Sequence, residues 1–296
     1  MTLTRRIFLK GTAVGIAGAA VMPQVLAADP SSAAAALPLR RVDGKPGAKI
    51  RVSSCSIDSL ASAKKAGLDG MEVGAGGAAP KLSIAVPATL QKYKDQMKET
   101  GLVVSSIMMS VFNSNPLASD PNGPAWLEQT IDAAKELKAH TILVAFFWRG
   151  DLLEGKEVKK AAVDVVVKRL KAAAPRAKDA GVFLGIENML PAAENMKILE
   201  RIDNPAVSIY YDCHNLAGQG YDVPAEIRLL KDRISIFHFK NGPDYLEGGK
   251  MKWEPIVAAM KDIGYQGWIV LETSAPSKDR VADDKKNAEY VRKLFA

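Results

Sequence analysis

The stretch Ile234–Thr273, ISIFHFKNGPDYLEGGKMKWEPIVAAMKDIGYQGWIVLET, reads as strand, loop, helix and strand. The apolar run Ile234, Ile236, Phe237 stops at His238, and Trp268–Leu271 stops at Glu272. Between them Trp253, Ile256, Val257, Met260 and Ile263 recur at helical spacing. Pro255 falls in the first helical turn, where a missing N–H costs little. Gly264-Tyr265-Gln266-Gly267 then ends the helix and turns the chain into the next strand. A βαβ unit of this kind forces its two strands to run parallel. His238 and Glu272 therefore emerge at the same edge of one sheet.

The same beat fills the chain from Lys49 onward. Strands are predicted at Ile50–Ser56, Leu68–Val73, Leu102–Met108, Thr141–Phe147, Val182–Glu187, Val207–Asp212, Ile234–Phe239 and Trp268–Glu272. Helical patterns lie at Asp58–Ala66, Pro87–Thr100, Pro124–Leu137, Val158–Ala180, Ala192–Ile202, Pro224–Leu230, Trp253–Ile263 and Arg280–Leu294, with Pro175 kinking the fourth rather than ending it. The strands are near-continuous apolar runs, as a parallel sheet covered on both faces requires. Lys49–Ala296 spans 248 residues, so eight units average 31 each, the size of a single-domain (β/α)8 TIM barrel. An open doubly wound sheet would carry a Gly-rich phosphate turn after an early strand. Gly74-Ala75-Gly76-Gly77 has the wrong spacing for that role and reads as a loop.

Residues 1–27 read as a leader and residues 28–48 as a disordered tether of mixed Pro, Ser, Ala and Gly. The leader opens with TRRIFLK at Thr4–Lys10, continues with a Gly- and Ala-rich apolar run and closes on Val25-Leu26-Ala27, a small-residue cleavage site. Its apolar run is too short to span a bilayer comfortably, so no stable membrane anchor is expected. The Arg5-Arg6 pair followed by x-Phe-Leu-Lys resembles the bacterial twin-arginine export signal. That resemblance implies the Tat export machinery as a partner, and a periplasmic or otherwise exported protein that travels already folded. Loss of the leader removes three basic residues, leaving 37 basic against 33 acidic and a net charge of +4. So mild and dispersed a charge argues against nucleic acid. Cys55 and Cys213 are expected to be two free thiols, because a barrel of this size needs no staple.

In such a barrel the C-terminal strand ends face the active-site mouth. Those of the second half carry Glu187, Asp212, His238 and Glu272, separated by 25, 26 and 34 residues, hence one from each of four consecutive units. Along a strand the inward set has period 2: Glu187 shares its face with Gly185, and Glu272 with Val270. Three converging carboxylates repel one another unless a cation sits among them. Three oxygen donors plus an imidazole suit one divalent ion, Mn²⁺ or Mg²⁺ first, with Co²⁺ or Zn²⁺ also compatible. Singly, Asp212 also reads as a helix cap and His238 as a core histidine.

The motifs GLDGMEVG (67–74), GIEN (185–188), YYDCHN (210–215), FHFKN (237–241) and GYQGWIVLET (264–273) resemble the xylose isomerase-like TIM-barrel superfamily. The resemblance is to its sugar phosphate isomerase/epimerase branch, and it covers essentially everything after Ala48. It implies metal ligands at Glu187, Asp212, His238 and Glu272. It also implies that Glu187 and Glu272 exchange a proton with substrate carbon through a cis-enediolate. The chain departs from the pattern at Asn215, where many relatives carry a histidine three residues after the ligand aspartate, while His214 stands one residue earlier. An amide can hydrogen-bond a substrate but cannot shuttle a proton.

Further substrate-binding candidates are Glu72, in the Gly-x-Asp-Gly-x-Glu pattern near the end of strand two; Trp148 and Arg149, after strand four; His214 and Asn215; and Lys240, two residues past His238 on the same strand face. Tyr245 and Glu247 are weaker candidates, and His140, at the opposite end of the barrel, is given no role. The reading is a divalent-metal-dependent isomerase or epimerase of a sugar or keto-sugar, with homo-oligomerisation left open. Export favours an unphosphorylated substrate. The same enolate serves a 3-keto-glycoside lyase, and a barrel that only binds carbohydrate is the non-enzymatic alternative. Endonuclease IV-like DNA repair calls for more histidines than the three present.

Overall fold

The fold is that of a computed structural model describing residues 50–296. The leader and tether expected at 1–27 and 28–48 lie outside the described residues. Eight parallel strands close into one barrel: β1 (Arg51–Ser54), β2 (Gly70–Gly74), β3 (Val103–Met109), β4 (Thr141–Ala145), β5 (Phe183–Glu187), β6 (Val207–Asp212), β7 (Ile234–Phe239) and β8 (Trp268–Leu271). Each strand pairs with its neighbours in sequence, and β1 pairs with β8 to complete the ring. The outer helices are α1 (Leu60–Lys65), α2 (Pro87–Thr100), α3 (Gly123–Leu137), α4 (Lys160–Ala180), α5 (Ala192–Ile202), α6 (Val223–Leu230), α7 (Trp253–Asp262) and α8 (Arg280–Phe295). This is the single-domain (β/α)8 barrel that the sequence beat predicts, and α4 runs through Pro175 without ending. Among the described residues no helix is long and apolar enough to cross a membrane.

Two apolar clusters follow from the alternation of side chains along each strand. The larger lies between barrel and helices, where α7, for example, buries Trp253, Ile256, Val257, Ala259 and Met260. The smaller fills the barrel itself with Leu143, Ala145, Tyr210, Ile236, Trp268 and Val270. Large rings fit inside because the facing positions are glycines. A Cβ at Gly70 would lie 2.9 Å from the Trp268 ring, and one at Gly185 would lie 3.1 Å from Tyr210 Cβ and 2.9 Å from Thr141 Cγ2. Arg51 stacks its guanidinium 4.1 Å from the Trp268 ring centroid, a cation–π contact beneath the packed interior.

The interior plug leaves the upper ends of the strands to build a site. Register sets Asp212 opposite His238 across β6 and β7, and Ala145 opposite Glu187 across β4 and β5. Glu272 stands one residue beyond β8, tied to β7 by its N–H to the Phe239 carbonyl at 3.1 Å. Around this mouth lie short elements that sequence periodicity does not announce: helices at Val111–Ser114 and Cys213–Gly218, a 3-10 turn at Trp148–Gly150, and a small hairpin pairing Leu153–Glu154 with Glu157–Val158. Each is too short to show a repeat.

The tight seat of Tyr210 against Gly185 gives a direct test. Gly185→Ala should overpack the barrel interior and lower stability by about 1–3 kcal/mol, read as a lower denaturant midpoint at unchanged slope. An unaltered midpoint would show that the interior has room to spare.

Candidate metal centre

His238 is fully buried and stands at the centre of the constellation. Its Nδ1 lies 3.1 Å from Glu187 Oε1, 3.5 Å from Glu272 Oε2 and 3.9 Å from Asp212 Oδ2. Its Nε2 faces the other way, 3.2 Å from Glu72 Oε1. The second Glu72 oxygen, Oε2, accepts hydrogen bonds from Ser106 Oγ at 2.6 Å and Tyr210 Oη at 2.7 Å. Three donors thus converge on the Glu72 carboxylate, and an N–H on His238 Nε2 is the tautomer that completes the set. That orientation turns Nδ1 to the three other carboxylates, where a bound cation would take the place of its proton, and an outer carboxylate is a common orienter of a ligating imidazole.

The donor set fits a divalent cation. One ligand atom from each of Glu187, Asp212, His238 and Glu272 lies within 4.8 Å of the others, consistent with a single coordination shell of oxygens and one nitrogen. Asp212 divides its labour: Oδ1 accepts the Asn215 N–H at 2.7 Å, capping the Cys213–Gly218 helix, while the buried Oδ2 has no hydrogen bond. Lys240 Nζ approaches that Oδ2 at 3.0 Å in an ion pair whose geometry falls short of a hydrogen bond, and it donates to Glu272 Oε2 at 2.7 Å. Oδ1 of Asp212 thus meets the cap reading, and Oδ2 stays turned to the cluster.

Burial raises the Glu187 carboxyl to about 7, against the pull of His238. Burial also raises Asp212, with Lys240 opposing it. Burial works against ionised Glu272 as well, but His238 and Lys240 outweigh it and hold that carboxyl below its usual value. Burial alone would depress His238, yet Glu187, Glu272 and Glu72 together lift it well above the ordinary imidazole value. Cys55, on the β1 end, completes the floor: its thiol groups with Glu72 and His238 within 4.8 Å, and burial pushes it up to about 12, so it stays protonated at neutral pH. Cys55 and Cys213 are both free.

A cavity of about 380 Å³ opens above, lined by Glu187, Glu272, Lys240 and Asn215 together with Met108, Asn113, Ala145, Phe147, Trp148, Asp151 and Met189. Of the substrate-binding candidates, Lys240, Asn215 and Trp148 line it. Glu72 does not: it is 2% exposed and lies beneath His238, against Nε2, outside the lining. Arg149 is exposed and outside the lining. His214 also lies outside it; its Nε2 faces the loop after β7, 3.8 Å from where a Gly242 Cβ would sit. Tyr245 and Glu247 turn to α8, through Asp283 and Lys293 respectively. Sequence reading passes over Ser106 and Tyr210, although Tyr210 sits two residues before Asp212 and so shares its inward face.

The Glu72 contact is open to measurement. Glu72→Gln should keep the fold and weaken Mn²⁺ binding, read by calorimetry, by about ten- to a hundredfold. Equal affinity in the variant would remove Glu72 from the centre.

A family model described as xylose isomerase-like TIM barrel matches residues 60–294. A 2-epi-5-epi-valiolone 7-phosphate 2-epimerase of Actinoplanes sp. is 25% identical over 199 residues, covering 65% of this chain and 70% of that protein. The structure of an L-ribulose 3-epimerase superposes with a TM-score of 0.70 at 19% identity, covering 83% of this chain and 94% of that one. A xylose isomerase-like TIM barrel protein from Mycobacterium smegmatis, solved in complex with magnesium, superposes with a TM-score of 0.65 at 17% identity over 84% and 97% of the two chains. With the match running through nearly all the described residues, the chain belongs to the xylose isomerase-like TIM barrel family.

Proposed function

We propose that the protein is a divalent-metal-dependent isomerase or epimerase of a sugar or keto-sugar. The observation that carries this reading is the convergence of Glu187, Asp212, His238 and Glu272, with Glu187 and Glu272 also lining the cavity. The epimerase named among the relatives and the magnesium-bound family member support it. When bound, a cation of this kind supplies Lewis-acid polarisation of a carbonyl and its neighbouring hydroxyl. We assign Mn²⁺ as the preferred ion on the oxygen-rich donor set.

The remaining work falls to side chains. Glu187 and Glu272, from β5 and the end of β8, reach the cavity from different sides of the cluster and take and return the proton on the carbon beside the carbonyl. Lys240 holds Glu272 Oε2 at 2.7 Å and so fixes the direction in which that carboxylate faces. Asn215 lines the cavity and hydrogen-bonds a substrate oxygen, with no part in moving the proton. Apolar Met108, Phe147 and Met189 keep the reacting centre poor in water.

Glu187→Gln should abolish solvent-deuterium incorporation into a keto-sugar that the Mn²⁺-loaded wild type exchanges, and chelation should do the same reversibly. Exchange that survives in the variant would strip Glu187 of its role, and sugar binding without any exchange would favour a non-catalytic carbohydrate-binding barrel. We also place the activity outside the cytoplasm, on the Arg5-Arg6 leader. Replacing both arginines by lysine should retain the folded protein in the cytoplasm, seen by fractionation, and unimpaired export would refute the twin-arginine route.

A further inference from the structure

The geometry of the cavity rim points to a substrate class. We propose that the substrate is an uncharged keto-sugar carrying a second ring, with the reacting ring over Glu187 and Glu272 and the second ring stacked on Trp148. This rests on the isomerase reading above and narrows it.

Trp148 occupies a backbone conformation that bulky residues avoid. Its φ is +51°, in the left-handed region, where a non-glycine residue is strained and persists only if its surroundings impose the turn. Here they do. The Phe147 N–H donates to Asn113 Oδ1 at 3.1 Å, the Gly150 N–H to the Phe147 carbonyl at 2.8 Å, and the Asp151 N–H to the Trp148 carbonyl at 3.3 Å. A Cβ at Gly150 would lie 2.4 Å from the Phe112 carbonyl oxygen, so the turn is pressed onto the Val111–Ser114 helix and only glycine fits there. The outcome is an indole 80% exposed on the cavity rim. Of the large hydrophobic residues exposed among the described residues (Val86, Trp148 and Leu229), Trp148 alone lines this cavity. A flat, rigid aromatic face held toward solvent beside a sugar-sized opening suits the apolar C–H face of a second sugar or aglycone ring.

Charge in the lining argues against the phosphorylated substrates that two relatives' names carry. Lys240 is the one cation in the lining, and it already pairs with Asp212 and Glu272. Asp151, the other ionisable side chain of the lining toward the rim, is a carboxylate, and the exposed Arg149 beside Trp148 lies outside the lining. A phosphate dianion placed over the centre would meet Glu187, Glu272 and Asp151 and find Lys240 already paired with two carboxylates. Length agrees with this. The cavity runs from Glu187, 4% exposed, to Trp148, 80% exposed, and its volume of about 380 Å³ lies toward the lower end of small-molecule clefts, so a second ring would extend over the rim to the indole.

The test reads binding to the Mn²⁺-loaded protein by calorimetry, with 3-keto-glucose, its 6-phosphate and 3-keto-cellobiose as probes. The disaccharide should bind more tightly than the monosaccharide, and the phosphate more weakly. Trp148→Ala should cut disaccharide affinity by about two- to tenfold and leave monosaccharide affinity unchanged. Tighter binding of the phosphate overturns the proposal, as does a Trp148→Ala variant that weakens both neutral sugars alike or neither. A change of oligomeric state in that variant on gel filtration also overturns it, because the indole would then serve contact between copies. Binding is read separately from turnover, so loss of proton exchange bears only on the isomerase reading.

Discussion

The structure turns on one electrostatic constraint: Glu72, Glu187, Asp212 and Glu272 all crowd a single buried imidazole. Removing so many like charges from water is tolerable only where positive charge lies among them. His238, within β7, and Lys240, just past its end, provide it two residues apart. The barrel makes the convergence achievable, since it brings donors from β2, β5, β6, β7 and the end of β8 to a common axis without bending any strand far. The cluster is then held from two sides, by register between β6 and β7 and by the carboxylate of Glu72 beneath.

That support reaches down into the packing. Tyr210 reaches Glu72 through its hydroxyl and packs its ring 4.5 Å from the His238 centroid, while Gly185 leaves the space its ring needs. Both pairings that place these residues carry a step in register, at Met71/Glu72 and at Ile209/Tyr210. Such irregularities re-aim side chains beside functional sites. The barrel interior is thus at once hydrophobic plug and scaffold for the centre.

Much of this could be read from residues alone, and the reason is period 2. Glu187, Asp212, His238 and Glu272 close apolar runs, and in a parallel barrel a strand-end residue on the inward face has one place to go. Glu72 shows where the rule fails. Its motif looks like a strand end, but β2 continues to Gly74 and steps in register just before Glu72, which lowers it beneath the mouth. Depth along the barrel axis depends on stagger between strands, and a linear pattern carries no record of stagger. The turn at Trp148 fails for a different reason: no glycine marks its left-handed residue, and the clamp on it comes from Asn113 and Phe112, far off in sequence. His214 and Asn215 adjoin each other in the chain, yet the helix that Asp212 caps sends only Asn215 to the cavity.

The bond between Glu72 and His238 joins residues 166 positions apart and spans the bore of the barrel. Its anchors, Ser106 and Tyr210, belong to the wall, whereas Trp148, Asp151 and Asn113 belong to the loops above. On the proposed reading, ion affinity and substrate choice would be set in separate parts of the molecule. Descendants of such a barrel could exchange their loops and keep the cluster intact, while a change in the girth of the wall would disturb the cluster whatever loops stood above it.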